Sequence, residues 1–299
     1  MHWLQQLHFR PDFFVVAACE TESLLRSAAT RLCESVIDSP DDLALLEWDT
    51  ALVCNANPKN IQPLLLAGRT VALSLSTEIT AVDLISLRSE AVRRDCRLMI
   101  FRSDHADAEF SAVMAAVSTE DFGPLRSIRR SICSAGVVPP EAGLEPEPFA
   151  DFALTDLAQA WDLLHVGDRS HRDMTVQAIP LPGMDGEARG GYLLLLRERG
   201  GLTIEIRRST RSVISEDTGW QIAGTHRGFR NHAQVVRTPE DEIYELPASA
   251  VDLIDPLDSL QEPIVPNTVS TTTELLRCFA VLEESWRNGG AAEMFISAE

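Results

Sequence analysis

Lysine is almost missing from this sequence: Lys59 is the single one, against 25 arginines. Any reaction that needs an ammonium proton donor or a Schiff base has that one side chain to draw on. Glycine is nearly as scarce at the front, where the first 130 residues hold only Gly68 and Gly123. No glycine-rich turn of the G-x-G-x-x-G kind can be built from them, so the usual cradle for a diphosphate is lacking. Positive charge is short overall, with 26 basic residues against 45 acidic ones and a net charge of -19. Such a field repels phosphate backbones and anionic lipid, which excludes general nucleic-acid and membrane binding. No apolar run reaches the roughly 18 residues of a membrane span. The apolar stretch at the N-terminus is broken by Arg10, Pro11 and Asp12 and has no basic leader, so it does not read as a secretory signal and the cytoplasm is the expected compartment. Six cysteines, at 19, 33, 54, 96, 133 and 278, form no C-x-x-C pair and read as small hydrophobes rather than a disulfide framework or zinc site. No G-x-S-x-G elbow, Walker loop, H-E-x-x-H or Cys-His signature supports a hydrolase or kinase.

What is present is the material of an ordinary globular protein. The 299 residues are 45% hydrophobic and 24% charged, enough for two domains with cores of their own. Residues 13 to 19 (FFVVAAC), 50 to 54 (TALVC), 70 to 75 (TVALSL) and 96 to 101 (CRLMIF) are continuous apolar runs, the pattern of strands covered on both faces. Helical stretches separate them: 2 to 9, 21 to 34, a short acidic one opened by Ser39 and Pro40, 60 to 67 closed by Gly68, and one capped by Thr80 through Arg94. Alternation of strand and helix predicts a parallel sheet with crossover helices. Four prolines and three glutamates in residues 137 to 149 mark a connection. Beyond it, a helix from about Thr155 to Leu164 leads to strand-like runs in series: MTVQAIPL, GYLLLLRE, LTIEIRRST, GWQIAG and EIYEL. These predict antiparallel pairing. A last helix, about Thr272 to Arg287, carries Leu275, Leu276, Phe279, Leu282 and Trp286 at helical spacing as core. The expected architecture is an α/β domain over 1–135 and an α+β domain over 136–299 with an open antiparallel sheet.

Several segments, taken in order, carry a resemblance. PDFFVVAACETE looks like a second strand with an acidic end, WDTALVCNANP like the strand before a nicotinamide loop, and AGRTVALSLS like a glycine, strand and Glu-Lys-Pro motif. RDCRLMIF, FGPLRSIR and DLAQAWDLL follow as later landmarks. Together they resemble the glucose-fructose oxidoreductase, inositol dehydrogenase and MocA family of NAD(P)-dependent sugar oxidoreductases, across nearly the whole chain. The resemblance implies an incomplete Rossmann-like domain followed by a domain whose open sheet often makes oligomer contacts.

The same resemblance places Met1 within the family's first helix, so the central first strand and its fingerprint loop would lie ahead of it. Three ways out are open: another segment fills the place, the sheet rearranges, or translation starts upstream. Glu20 stands where a ribose-binding acid belongs, with a solvated strand-end carboxylate as the plainer reading. Asn55 and Asn57, after the next strand, would be vestigial cofactor contacts. The Glu-Lys-Pro positions read Ser74, Leu75 and Ser76, and leucine cannot move a proton. On the later helix Thr155 and Gln159 stand in the places of the family's aspartate and histidine, with Asp162 kept. A shift by one residue recovers Asp156 but puts Ala160 in the histidine place.

Leu75, Gln159, Asp162 and His165 are thus the residues expected at a substrate cleft. His165 also reads as a helix-end histidine placed against the dipole. Lys59 reads as an exposed loop residue, and Asp104, His105 and Asp107 as a solvated loop. His165 with His171, and His226 with His232, have no third ligand, so no metal is expected. No catalytic residue is assigned. The expected function is a catalytically degenerate oxidoreductase-like protein, acting as a ligand-binding or assembly subunit with no cofactor. The alternative is an active NAD(P)-dependent sugar or polyol oxidoreductase with substitute acid and base groups. A homo-oligomer through the C-terminal sheet, or a heteromer with an active relative, is the expected assembly.

Overall fold

In a computed structural model the chain forms two compact units, one of residues 1–103 with 255–273 and one of 104–254 with 274–299. The structure describes residues 2–20, 23–54, 57–67, 69–102, 107–133, 148–165, 173–181, 191–209, 218–230, 233–237, 243–247, 257, 260 and 268–297.

The first unit alternates helix and strand as the apolar runs require. Its elements are α1 (His2–Phe9), β1 (Ala17–Cys19), α2 (Ser23–Ala29), β2 (Ser35–Ile37), α3 (Pro40–Ala44), β3 (Thr50–Val53), α4 (Pro58–Leu66), β4 (Thr70–Ser74), α5 (Ala81–Arg93) and β5 (Leu98–Phe101). The helix starts are fixed by local chemistry. Ser39 and Asn57 accept hydrogen bonds from Asp41 N–H and Lys59 N–H ahead of Pro40 and Pro58, prolines suited to a first turn. Thr80 and Asp83 close a reciprocal capping box on α5. Two expected elements are shorter. The strand beginning at Phe13 is ordered as β only from Ala17, and the helix expected over 21–34 is α2 alone. Gly68, the expected stop of α4, lies outside the described residues; the helix ends on Ala67 as its C-cap.

The five strands do not make one sheet. β1 pairs with β2, and β3, β4 and β5 pair in that order, all in parallel. Doubly wound folds order their strands 3-2-1-4-5-6. Removing strand 1 from that order leaves a pair and a triplet, which is the division found here. No described segment takes the central place, so the sheet is split. α1 lays Trp3 and Leu7, with Phe13 and Leu52, against a core of Ala72, Met99, Phe101, Leu257 and Leu260. Trp3 meets Phe101 edge-on at 4.8 Å.

The second unit holds α6 (Ala108–Val117), β6 (Leu125–Cys133), α7 (Pro148–His165), β7 (Met174–Leu181), β8 (Gly191–Glu198), β9 (Thr203–Ser209), β10 (Gly219–Gly224), β11 (Arg227–Arg230), β12 (Ala233–Arg237), β13 (Ile243–Pro247), α8 (Thr268–Arg287) from Glu274 onward, and β14 (Glu293–Phe295). Nine strands form one sheet in the order β13-β12-β11-β10-β6-β9-β8-β7-β14. It is antiparallel as expected except between β6 and β9, which run parallel. Alternate residues Val176, Ala178, Tyr192, Leu194, Leu196, Ile204, Ile206, Trp220 and Ile222 are buried and form the covered face. Phe149 of α7 stacks on Trp286 of α8 at 4.3 Å, and Ser285 Oγ accepts the Ala178 amide at 3.0 Å, fixing both helices in this unit. α7 begins seven residues before its expected start, because Pro148 opens the helix instead of ending the loop.

Candidate functional site

Asp156 is the most unusual side chain in the second unit: a carboxylate only 1% exposed, on the inward face of α7. Burying that charge without partners would be prohibitive. Arg208 of β9 supplies the main partner, donating Nε to Oδ2 and Nη2 to Oδ1, each at 2.8 Å. Arg130 of β6 donates Nη1 to Oδ1 at 3.3 Å, and the Tyr192 hydroxyl of β8 donates to Oδ2 in a short hydrogen bond. Both arginines are themselves sandwiched. Arg208 lies 4.7 Å from the Phe152 ring centroid and Arg130 4.8 Å from that of Trp220. Gly191, at φ 144, lets β8 approach β9 where a Cβ would collide with the Arg208 carbonyl oxygen.

The electrostatics follow from that packing. Burial first, and then the Asp156 charge, push the Tyr192 hydroxyl well above the ordinary tyrosine range. For Arg208, burial opposes the charge, but the hydrogen bond and charge of Asp156 outweigh it and raise the pKa above the usual arginine value. Arg208 therefore keeps its charge, and Tyr192 stays a neutral donor. A carboxylate whose oxygens already accept four hydrogen bonds, three of them from two guanidiniums, is a poor general base. What it does well is tie α7 to three strands.

The residues expected at a cleft fall in different surroundings. Gln159 is 2% exposed, within the buried face of α7. Asp162 and His165 are half-buried one and two turns on, and His165 Nδ1 lies 2.8 Å from the Trp161 carbonyl oxygen. Leu75 is half-buried at the end of β4, in the first unit. Glu20 follows β1, and its amide bonds to the Ile37 carbonyl at 3.0 Å. Asn57 spends its side-chain oxygen on capping α4, and Lys59 is exposed in that helix's first turn. Asn55, His171, His232, Asp104 and His105 lie outside the described residues. Asp107 is not a loop residue in effect: its carboxylate accepts from the amides of Glu109 (2.9 Å) and Phe110 (3.3 Å) and opens α6, and it lies 3.7 Å from Arg130. Among the described residues no group of three or more His, Cys, Asp or Glu is placed to hold a metal. Thiol chemistry is disfavoured too, since burial pushes up Cys19, Cys33, Cys54, Cys96 and Cys278. Among the described residues no helix is long and apolar enough to cross a membrane.

Residues 1–103 and 255–273, which make up the first unit, hold a single glycine, Gly68, and no G-x-G-x-x-G run.

No protein-family model matches the sequence, and no curated protein does. Solved structures do match its fold. An NAD-binding protein from Listeria innocua is 17% identical and superposes with a TM-score of 0.76, over 99% of this chain and 93% of its own. An oxidoreductase from Agrobacterium radiobacter, solved with NAD+, L-tartaric acid and magnesium, is 13% identical at a TM-score of 0.74 (99% and 94% covered). Biliverdin reductase from Synechocystis, solved with biliverdin and NADP+, is 13% identical at 0.68 (94% and 94%). The chain thus has the fold of NAD-binding oxidoreductases, the architecture that the resemblance to the glucose-fructose oxidoreductase family implied.

Proposed function

We propose that this chain is a catalytically degenerate relative of the NAD(P)-dependent sugar oxidoreductases, serving as a ligand-binding or assembly subunit. The observation that carries this reading is the Asp156 cluster. The one carboxylate that a shifted alignment brings to the family's proton-transfer helix is consumed by Arg208, Arg130 and Tyr192. Leucine at position 75 and a buried glutamine at 159 support the same conclusion, since neither side chain titrates near neutral pH. Assembly would use the outer face of the large sheet. There Ile179 pairs across with Leu193, and Leu195 and Leu181 extend an apolar patch bordered by Arg207 and Glu205. A second copy, or an active relative with the same sheet, is the partner this face suits.

Isothermal titration of the chain with NAD(H) and NADP(H) tests the proposal. No binding at micromolar nucleotide is expected. Micromolar affinity together with turnover would favour the second reading, an active NAD(P)-dependent sugar or polyol oxidoreductase, for which the nucleotide-bound solved structures of the same fold are the support.

A further inference from the structure

Helix α5 carries an apolar row on each of two opposite faces. Leu84, Leu87 and Ala91 are buried against the rest of the first unit. On the far side Val82, Ile85 and Val92 are 75%, 51% and 76% exposed, and the exposed Ser89 completes their row. At 3.6 residues per turn, positions 82, 85, 89 and 92 line up directly opposite the buried face. Single exposed aliphatics are ordinary on a protein surface. Three in one row of a 13-residue helix, with a serine filling the fourth place, have the spacing of a helix-pairing seam.

The row matches itself when reversed. Its steps of three, four and three residues read the same in both directions, so a second α5 laid antiparallel fits in register about position 87. Val82 then meets the partner's Val92, and Ile85 meets the partner's Ser89, large against small. Ser89 is ready to be covered, because its hydroxyl already donates to the Ile85 carbonyl at 2.9 Å.

Charge favours the same arrangement. The leading end of the helix is acidic, with exposed Glu78 just ahead of it and Asp83 in its first turn. At the trailing end Arg88, Arg93 and Arg94 outnumber Glu90, which pairs with both Arg93 and Arg94, and Asp95. Two such helices side by side in the same direction would set arginine against arginine. Reversed, each basic end lies along an acidic one, and the helix dipoles oppose as well.

We propose that two copies of this chain pack α5 against α5, antiparallel and about a two-fold axis near Leu87. The contact belongs to the first unit, whereas the sheet face assigned above to assembly belongs to the second, so it is a separate interface and does not depend on that reading. A helix of this length offers a strip about 20 Å long and 10 Å wide, well short of the roughly 1,000 Å² of a self-sufficient interface. Pairing through α5 alone therefore needs high micromolar chain, and low micromolar solutions are free of it.

Sedimentation equilibrium of the full chain, over a series reaching high micromolar concentration, tests the contact in four proteins: the parent, Val82→Arg, Val92→Glu and the two substitutions together. The sheet face is the same in all four and cancels from the comparison; Leu193→Arg reads that face separately. Both positions are exposed, and far-UV circular dichroism checks that the fold is kept. Each single substitution puts an unmatched charge into the seam, beside like charge at the partner's end, and should raise the dissociation constant about 10-fold. The double variant sets the new base and acid against each other twice across the axis and should recover most of that loss. It is also the variant whose charges oppose the helix dipole at both ends, so a mere weakening of α5 would make it the worst of the four. A parent mass that does not rise with concentration overturns the proposal. So does equal association in all four proteins, or a double variant that associates no better than the weaker single one.

Discussion

Arg208 grips Asp156 through two parallel hydrogen bonds, Nε to Oδ2 and Nη2 to Oδ1, both 2.8 Å long and both sheltered from water. A fork of this kind fixes orientation as well as distance, and here it sets the rotation of α7 against β9.

Removing the carboxylate takes away the buried anion shared by Arg208 and Arg130. Asp156→Ala should therefore cost about 3–5 kcal/mol of folding stability, read as a lower denaturant midpoint at unchanged slope. A loss under about 1 kcal/mol would mean that the cluster contributes little to the fold.

Tyr192 gives the fold an alkaline limit. Its pKa is raised in the folded state, so its contribution is complete below the unfolded value near 10 and drains away as pH climbs above it. Melting temperature should fall between pH 9 and pH 11 in the parent chain, and fall less in Tyr192→Phe. Equal alkaline slopes in the two proteins would assign the effect to other groups.

The α5 cap is separable from all of this. Thr80→Ala removes the acceptor for the Asp83 amide and should destabilise the chain by about 1 kcal/mol, with no change in oligomeric state. Urea melts of the two proteins, with their sedimentation, make the check.

If the outer sheet face joins two copies, Leu193→Arg should shift sedimentation from dimer or larger to monomer while far-UV circular dichroism is retained. A parent chain that is monomeric at high micromolar concentration would remove the case for that interface.

Legibility in the sequence followed periodicity. MTVQAIPL and GYLLLLRE match β7 and β8 to the residue, because every second side chain is buried and nothing competes with the alternation. β6 carries no clean strand signal of its own, since Arg126, Arg129 and Arg130 interrupt its apolar positions and one of them, Arg130, points into the protein to meet Asp156. α6 was hidden behind a charged loop, although Asp107 followed by an apolar run is a helix start. The Asp156 cluster could not be read at all. Its partners lie 26, 36 and 52 residues away, and only the register of β6, β8 and β9 brings them together. Leucine at 75 and glutamine at 159, by contrast, needed no fold to be seen as unable to pass a proton.

The lone Lys59 sits exposed in the first turn of α4. Apart from the terminal amine, it is the one place where an amine-reactive dye, linker or biotin can attach. Surface coupling through primary amines would thus hold the molecules in one or two defined orientations, and tryptic maps would be written almost wholly in arginine.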